Sequence, residues 1–257
     1  MNEIIRNEVS PEQTESREKR ERGRDIAFYL FRHAQATGQE SEAELTEQGR
    51  KQAEEAAENL LEHIIEQGGG IIKFLSSPTT RAKQTAEIIQ RVISKIIIDK
   101  NVQNVRLITS TQNLQNVRLT TPTPPRKHDA LKSGGVVRTL KKLNIDDPMD
   151  HWLQHPDVLE GKSPAEIASR VQKIIDNLQK MADRLPRSEE KIYYVGVTHE
   201  TPQAALLNQI SKKTLNDFGG QMSNCESIRI ELKGNTDEPP TISFRDQTIA
   251  MPVNHSG

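Results

Sequence analysis

The sequence has 257 residues, a length that one α/β domain can organise around a single core. Only 33% of the residues are hydrophobic and 4% aromatic, which predicts that part of the chain lies in polar tails and loops. The formal net charge of −1 excludes a general attraction to nucleic acid or anionic lipid, and no apolar run approaches the roughly 18 residues of a membrane helix. We therefore expect a cytoplasmic protein.

Residues 1–24 are predicted to form a flexible, charge-dense tail, because they contain too few apolar side chains to offset the cost of ordering. Glutamates alternate with its arginines, so we do not expect it to bind nucleic acid. The folded domain is predicted over residues 25–247, followed by a C-terminal tail over residues 248–257.

The first half of the domain alternates between short apolar runs and helical spacing. Glycines 68–70 end the first helix, because glycine supplies the left-handed conformation of a helix cap. The predicted elements are a strand over 26–31, a helix over 44–67, a strand over 71–75, a helix over 79–94 and a strand over 96–98.

A duplication follows, in which residues 103–107 return as residues 115–119. One duplicated unit is too little for a solenoid, so we expect a local hairpin or extended excursion. Ser163 and Glu166 predict a capping box for a helix over 164–185. The other predicted elements are helices over 136–143 and 202–210 and strands over 191–197, 227–232 and 241–244.

Strands that alternate with helices predict a three-layer α/β sandwich with a mainly parallel central sheet. Ligands bind at the carboxyl ends of the strands in such sheets. Three predicted strands end in reactive side chains, at Arg32 and His33, at Arg81, and at His199. Each has an ordinary interpretation alone, but together they predict an anion site that contains a nucleophile.

The chemistry of these residue types suits phosphoryl transfer. A neutral imidazole attacks phosphorus when a hydrogen bond to its other nitrogen fixes the tautomer. Arginines are permanently charged and donate paired hydrogen bonds to phosphoryl oxygens, and helix N-termini near residues 79 and 201 add partial positive charge.

At these residues the sequence resembles the histidine phosphatase superfamily, which has the phosphoglycerate mutase-like fold. The matching motifs occur in the same order as in that family. They are Leu-Phe-Arg-His-Ala (30–34), Leu-Thr-Glu-Gln-Gly-Arg-Lys-Gln-Ala (45–53), the Ser-Ser-Pro-x-x-Arg-Ala-x-Gln-Thr-Ala pattern (76–86), Gly-x-Ser-x-x-Glu-x-x-x-Arg-Val (161–171) and Tyr-Val-Gly-Val-Thr-His (194–199).

The resemblance implies that His33 is the phosphorylated nucleophile and that Arg32, Arg81 and His199 form the phosphate pocket. It further implies that Gln35 and Thr37 contact the substrate. It requires neither a metal nor an organic cofactor, and it implies a small phosphorylated substrate or inorganic phosphate as the partner. A region over residues 100–155 is expected to act as a cap that sets specificity.

The family's acid that protonates the leaving group has no clear match. Ser133 occupies the position where a Leu-x-Glu motif would place it, so Asp129 is our candidate and Glu160 a weaker second choice. The family's glycine after His33 is Ala34 here. Glu200 stands where glycine is common after the second histidine, and three interpretations stay open: it rejects dianionic phosphates, it orients His199, or, by default, it faces solvent.

Two other features have ordinary interpretations. His151 and His155 lie one helical turn apart but lack an evident third ligand, so we expect no metal site and assign Trp152 and its neighbours to the cap. Cys225, the single cysteine, is expected to be structural rather than nucleophilic.

A phosphatase is favoured over a mutase, since the mutase-type Glu-x-x-x-Arg-Arg-x-Tyr-Gly run is missing between residues 100 and 140. The alternative from another class is a degenerate module that binds a phosphorylated ligand or protein without turnover. The sequence leaves the substrate and the oligomeric state open.

Overall fold

The computed structural model describes residues 23–108, 145, 147–158 and 163–252, and all structural statements concern these ranges. Within them the chain forms seven strands and five α-helices. The strands are β1 (Ile26–Arg32), β2 (Gly70–Ser76), β3 (Val105–Ile108), β4 (Lys191–Thr198), β5 (Ser227–Leu232), β6 (Thr241–Phe244) and β7 (Gln247–Ala250). The helices are α1 (Glu47–Glu66), α2 (Thr80–Asp99), α3 (Pro148–Gln154), α4 (Pro164–Arg184) and α5 (Glu200–Ser211), with a 3₁₀ turn at Asn216–Phe218.

The strands form one sheet in the order β3-β2-β4-β1-β5-β6-β7. The first four run parallel to one another, whereas β5, β6 and β7 are antiparallel to their neighbours. In this order β4, which comes late in the sequence, lies between β2 and β1. This order brings the carboxyl ends of β1, β2 and β4 side by side.

Two apolar layers cover the sheet because alternate residues of each strand point to opposite faces. On one face Ala27, Tyr29 and Phe31 of β1 pack with α1 and α2. On the other face Ile26, Phe28 and Leu30 pack with α3, α4 and α5. The predicted three-layer α/β fold with a mainly parallel sheet is therefore confirmed.

Side-chain caps begin two of the helices, and the cap at Ser163 is the one that the sequence predicted. Thr46 caps α1 by accepting a hydrogen bond from the Gly49 amide at 2.9 Å, and Ser163 caps α4 by accepting from the Glu166 amide at 3.2 Å. These side chains satisfy amide groups that have no partner within the first turn of a helix.

The predicted strand over 96–98 is wrong, because α2 continues through these isoleucines to Asp99. Ile93 is fully buried, and Ile96 and Ile97, three and four residues later, pack against the same apolar cluster. Continuing this stripe outweighs the lower helix propensity of isoleucine, which amounts to a few tenths of a kcal/mol per residue relative to alanine. The third strand is instead β3, within the first copy of the duplication.

The domain extends slightly beyond both predicted ends. Gly23 and Arg24 donate backbone hydrogen bonds to the carbonyls of Leu185 and Ala182. At the other end β7 pairs with β6, and Met251 is buried, although the sequence placed residues 248–257 in a tail. The apolar pattern of β7 is short, because this strand lies at the edge of the sheet, pairs only with β6 and has few buried positions.

Several predictions fall outside the described residues. These are the greater part of the N-terminal tail, the second copy of the duplication, the helix over 136–143, and both acid candidates, Asp129 and Glu160. Among the described helices, none has the length and apolar character needed to cross a membrane.

Candidate active site

The sheet register joins the two site histidines. Arg32, the last residue of β1, pairs with Thr198, the last residue of β4. The His33 amide then donates to the Thr198 carbonyl at 2.9 Å. Since each histidine directly follows its strand, the two rings lie edge to face with centroids 5.1 Å apart.

His33 is held in one tautomer by its own loop. Its Nδ1 lies 2.7 Å from the Ala34 carbonyl oxygen, which accepts only, so Nδ1 carries the proton. Its Nε2 therefore keeps a lone pair, and this atom accepts from Nε of Arg81 at 2.9 Å. Burial, assisted by the charges of Arg81 and Arg32, lowers the pKa of His33 to about 4, against the opposing effect of the Ala34 hydrogen bond. The ring is neutral above that pH.

Arg81 lies in the first turn of α2 and is 2% exposed. Besides the contact with His33, its guanidinium donates to the Gln39 and Glu40 carbonyls. Its backbone carbonyl accepts from the Thr85 hydroxyl, which in turn accepts from the Ala34 amide at 3.1 Å. The first turns of α2 and the loop after β1 therefore form one hydrogen-bonded unit around His33.

His199 immediately precedes α5 and is 8% exposed. Its Nε2 lies 3.4 Å from the Ser77 hydroxyl, and its buried Nδ1 has no hydrogen-bond partner. Burial, followed by the charges of His33, Arg81 and Arg32, holds the pKa of His199 well below its ordinary range. An unsatisfied buried nitrogen is costly, so a bound polar group at this atom would relieve that cost.

Arg32 is bound to Glu200, which does not face solvent. One guanidinium nitrogen of Arg32 lies 3.4 Å from Oε2 of Glu200 and also donates to the Met222 carbonyl, while Oε1 of Glu200 accepts from the Met222 amide at 3.0 Å. The Glu200 side chain is 12% exposed. The default expectation of a solvent-facing Glu200 is therefore wrong, because the turn before β5 folds back over the start of α5.

That turn is the part of the site which the sequence analysis missed. The Asn224 side chain donates to the His33 carbonyl at 2.9 Å, and the Cys225 amide donates to the Arg32 carbonyl at 3.1 Å. The available signal was topological, since an antiparallel β5 must begin beside the carboxyl end of β1. Burial raises the pKa of Cys225 to about 12, which keeps it a thiol and agrees with its expected structural role.

These side chains surround a cavity of about 130 Å³. The predicted Arg32, His33, Arg81 and His199 all line it, and Pro148 and Met149 show that α3 contributes to its wall. The other lining residues are Gln39, Glu200, Thr201 and Gln221. The structure thus brings the four together, while their catalytic roles remain predictions.

Gln35 and Thr37, predicted as substrate contacts, do not line this cavity. Both are exposed, and the Gln35 side chain accepts from the Thr46 hydroxyl at 3.0 Å, whereas Thr37 bonds to the Glu44 carbonyl. Gly49 explains this packing, because a Cβ at that position would lie 2.0 Å from the Gln35 carbonyl oxygen. The Gln35 side chain is thus bound at the start of α1, and Gln39 lines the cavity instead.

Trp152 of α3 is fully buried in the core and anchors this helix, whose Pro148 and Met149 line the cavity. The rings of His151 and His155 have centroids 4.3 Å apart. Among the described residues, no three potential ligands are grouped so as to hold a metal ion.

The sheet order places the paired histidines and arginines of an α/β protein at one cavity, at the carboxyl ends of parallel strands. A family model described as the histidine phosphatase superfamily (branch 1) matches residues 28–107, which include Arg32, His33 and Arg81. The resemblance to the histidine phosphatase superfamily is confirmed. No curated protein sequence matches the chain.

Two of the solved structures that resemble this chain share its fold at low identity, and a third aligns less closely. A mycobacterial glucosyl-3-phosphoglycerate phosphatase is 21% identical with a TM-score of 0.50, over 81% of this chain and 91% of its own. A protein described as mycobacterial hydrolase 2 is 20% identical with a TM-score of 0.50, over 90% and 94%. A phosphoglycerate mutase from Bacillus anthracis is 16% identical with a TM-score of 0.47, over 91% and 95%.

Proposed function

We propose that the protein is a phosphatase that hydrolyses phosphoric monoesters through a phosphohistidine at His33. The observation that carries this proposal is the fixed tautomer of a buried, neutral imidazole. Its Nδ1 proton is bound to the Ala34 carbonyl, and its Nε2 lone pair lies against Arg81 at the wall of the cavity. An attacking atom is thereby paired with a cation that stabilises phosphoryl oxygens.

The reaction has two steps. In the first, Nε2 of His33 gives up its hydrogen bond from Arg81 and forms a bond to phosphorus, the bond to the ester oxygen breaks, and a general acid donates a proton to that oxygen. In the second, water attacks phosphorus, the N–P bond breaks, and the same group takes the proton from the water. Inorganic phosphate leaves, and His33 returns to its neutral form.

The surrounding cations would stabilise the phosphoryl oxygens during both steps. Arg81 and Arg32 would donate to them, and His199, with its unsatisfied Nδ1, would do so where it carries a proton on that atom. Asp129 remains our candidate for the general acid, with Glu160 second. The nucleophile and the charge come from side chains, so we expect turnover without added metal.

The substrate is proposed to be a small phosphorylated molecule. A cavity of about 130 Å³ accommodates a phosphoryl group and little more, so the remainder of a substrate would lie outside it. The mycobacterial structure named above is a glucosyl-3-phosphoglycerate phosphatase, which supports the class of reaction without identifying a substrate for this chain.

The test is hydrolysis of an aryl phosphate in the presence of EDTA by the wild type, His33→Ala and the control His63→Ala. His63 is a partly buried histidine on α1 that does not line the cavity. We expect activity in the wild type and the control, and none in His33→Ala. Quenching with detergent at alkaline pH after reaction with labelled substrate should trap a base-stable, acid-labile phosphoryl group only where His33 is present.

The alternative, a module that binds phosphate without turnover, gives a different result. It predicts no hydrolysis and no phosphohistidine, while inorganic phosphate still raises the melting temperature of the wild type. Asp129→Asn tests the acid separately, and it should slow an aryl ester with a poor leaving group more than one with a good leaving group.

A further inference from the structure

We propose that Glu200 is a specificity-determining residue: its carboxylate neutralises one of the two arginine charges of the cavity, so that a tetrahedral monoanion binds directly and a dianion binds together with a proton. This inference deepens the proposed function, because it concerns the charge of the same phosphoryl site. It stands on the position of one buried carboxylate.

The charge of the cavity wall follows from its lining. Arg32 and Arg81 each contribute a positive charge, Glu200 contributes a negative one, and both histidines are neutral near pH 7. The part of the wall formed by described residues therefore carries a net charge of one positive unit while Glu200 is ionised. A phosphate monoester carries between one and two negative charges near neutral pH, because its second pKa is about 6.

The Glu200 carboxylate forms an ion pair with Arg32. Oε2 lies 3.4 Å from the Arg32 guanidinium, and Oε1 accepts from the Met222 amide at 3.0 Å. Arg32 also donates to the Met222 carbonyl, so both members of the ion pair are hydrogen-bonded to the turn before β5. Nε of Arg32 is buried without a hydrogen-bond partner. An incoming anion that takes Arg32 therefore competes with the carboxylate for the same cation.

Neighbouring groups favour the uptake of a proton by Glu200. Burial, together with the carboxylates of Asp147 ahead of α3 and Glu226 ahead of β5, raises the pKa of Glu200. Arg32 and the Met222 amide oppose this rise. A second negative charge placed at the cavity shifts the balance further toward the protonated acid, because like charges disfavour ionisation.

The test uses sulfate, which is a dianion throughout the range from pH 5 to 8 and therefore does not titrate itself. Sulfate affinity and proton uptake are measured by calorimetry in two buffers of different protonation enthalpy. The proteins are the full-length wild type, Glu200→Gln and the control Glu62→Gln, which alters an exposed carboxylate of α1. Glutamine retains an oxygen that can accept from the Met222 amide.

We expect wild-type sulfate affinity to fall up to about tenfold per pH unit as pH rises, with uptake of up to one proton per sulfate. Glu200→Gln should bind sulfate about tenfold or more tightly at pH 7.5 and lose this proton uptake. Glu62→Gln should match the wild type. Equal affinity in wild type and Glu200→Gln, or undiminished uptake in Glu200→Gln, would overturn the proposal, since the proton would then reach a histidine.

If Glu200→Gln does not fold, the wild type still decides, because sulfate binding without proton uptake near pH 7.5 contradicts the proposal. Aryl phosphate hydrolysis by the wild type is measured separately. A protein that binds sulfate with the expected linkage but hydrolyses nothing would refute the phosphatase and retain the role of Glu200. A protein that hydrolyses the aryl phosphate but whose sulfate binding does not depend on Glu200 would support the phosphatase and refute the role of Glu200.

Discussion

The two ends of the parallel strands differ in how their charges are arranged. At the amino ends, a cavity of about 910 Å³ is lined by charged side chains such as Lys233, whose ammonium lies 2.5 Å from Asp25. At the carboxyl ends, a cavity of about 130 Å³ holds two arginines, two buried histidines and one carboxylate. The larger cavity is a surface cleft whose lining includes the exposed Arg187 and Glu189, whereas the smaller one has a buried arginine, Arg81, beside two buried histidines.

This difference shows that buried charge distinguishes the candidate site better than volume does. The Lys233–Asp25 pair is about 40% exposed, and water screens it strongly. Arg81 is 2% exposed and lies against a neutral imidazole, so its field at a phosphoryl group would be little screened. Catalysis of phosphoryl transfer depends on such preorganised charge.

The largest effect that separates the two ends is expected from paired arginine variants. Arg81→Lys should lower kcat/KM for an aryl phosphate by about 10²–10³-fold, because lysine cannot reproduce the paired donors of a planar guanidinium. Arg187→Lys, in the amino-end cavity, should leave kcat/KM unchanged.

Phosphate-dependent stabilisation gives a second readout for the same pair. The rise in melting temperature with inorganic phosphate should be reduced in Arg81→Lys and retained in Arg187→Lys. Equal losses in both variants would mean that the amino-end cavity, or no single cavity, holds the anion.

The next effect is the pH dependence of stability at the carboxyl end. His33 has a folded-state pKa of about 4 and an ordinary value of 6.5, so between these values the unfolded chain binds a proton that the folded chain does not. Its contribution to the free energy of unfolding is therefore present above pH 6.5 and is lost as pH falls toward 4. The loss is about 3 kcal/mol, and His199 acts in the same direction.

Chemical denaturation at several pH values measures this loss. His33→Gln should reduce the dependence between pH 6.5 and 4 and leave the part that comes from His199. A wild type whose stability does not change over that window would contradict the burial of a neutral His33.

The smallest effect is expected at the amino end. Lys233→Met removes an ion pair that is about 40% exposed on both sides, so the free energy of unfolding should change by less than about 1 kcal/mol. Hydrolysis should be unaffected. A change of several kcal/mol in denaturation midpoints would show that the two ends are equally dependent on their charges.

The sequence predicted most of the elements in the parallel half of the sheet, because strands buried on both faces produce apolar runs that are easily recognised. It was less informative at the edges. The isoleucines at 96–98 continue α2 instead of forming a strand, and β7 was predicted to be tail. In both segments the local propensity is weak, so the structure depends on which part of the chain packs against them. For the site, sequence order and strand ends were enough to bring His33, Arg32, Arg81 and His199 together.

By itself the sequence determined the fold class, the strand ends that carry the four cavity residues, and the resemblance to the histidine phosphatase superfamily, because these depend on local patterns and on topology. Only the tertiary structure decided the tautomer of His33, the outward position of Gln35 and the ion pair of Glu200 with Arg32. These depend on which carbonyl, helix or turn contacts each side chain in the folded protein, and the local sequence pattern does not specify those contacts.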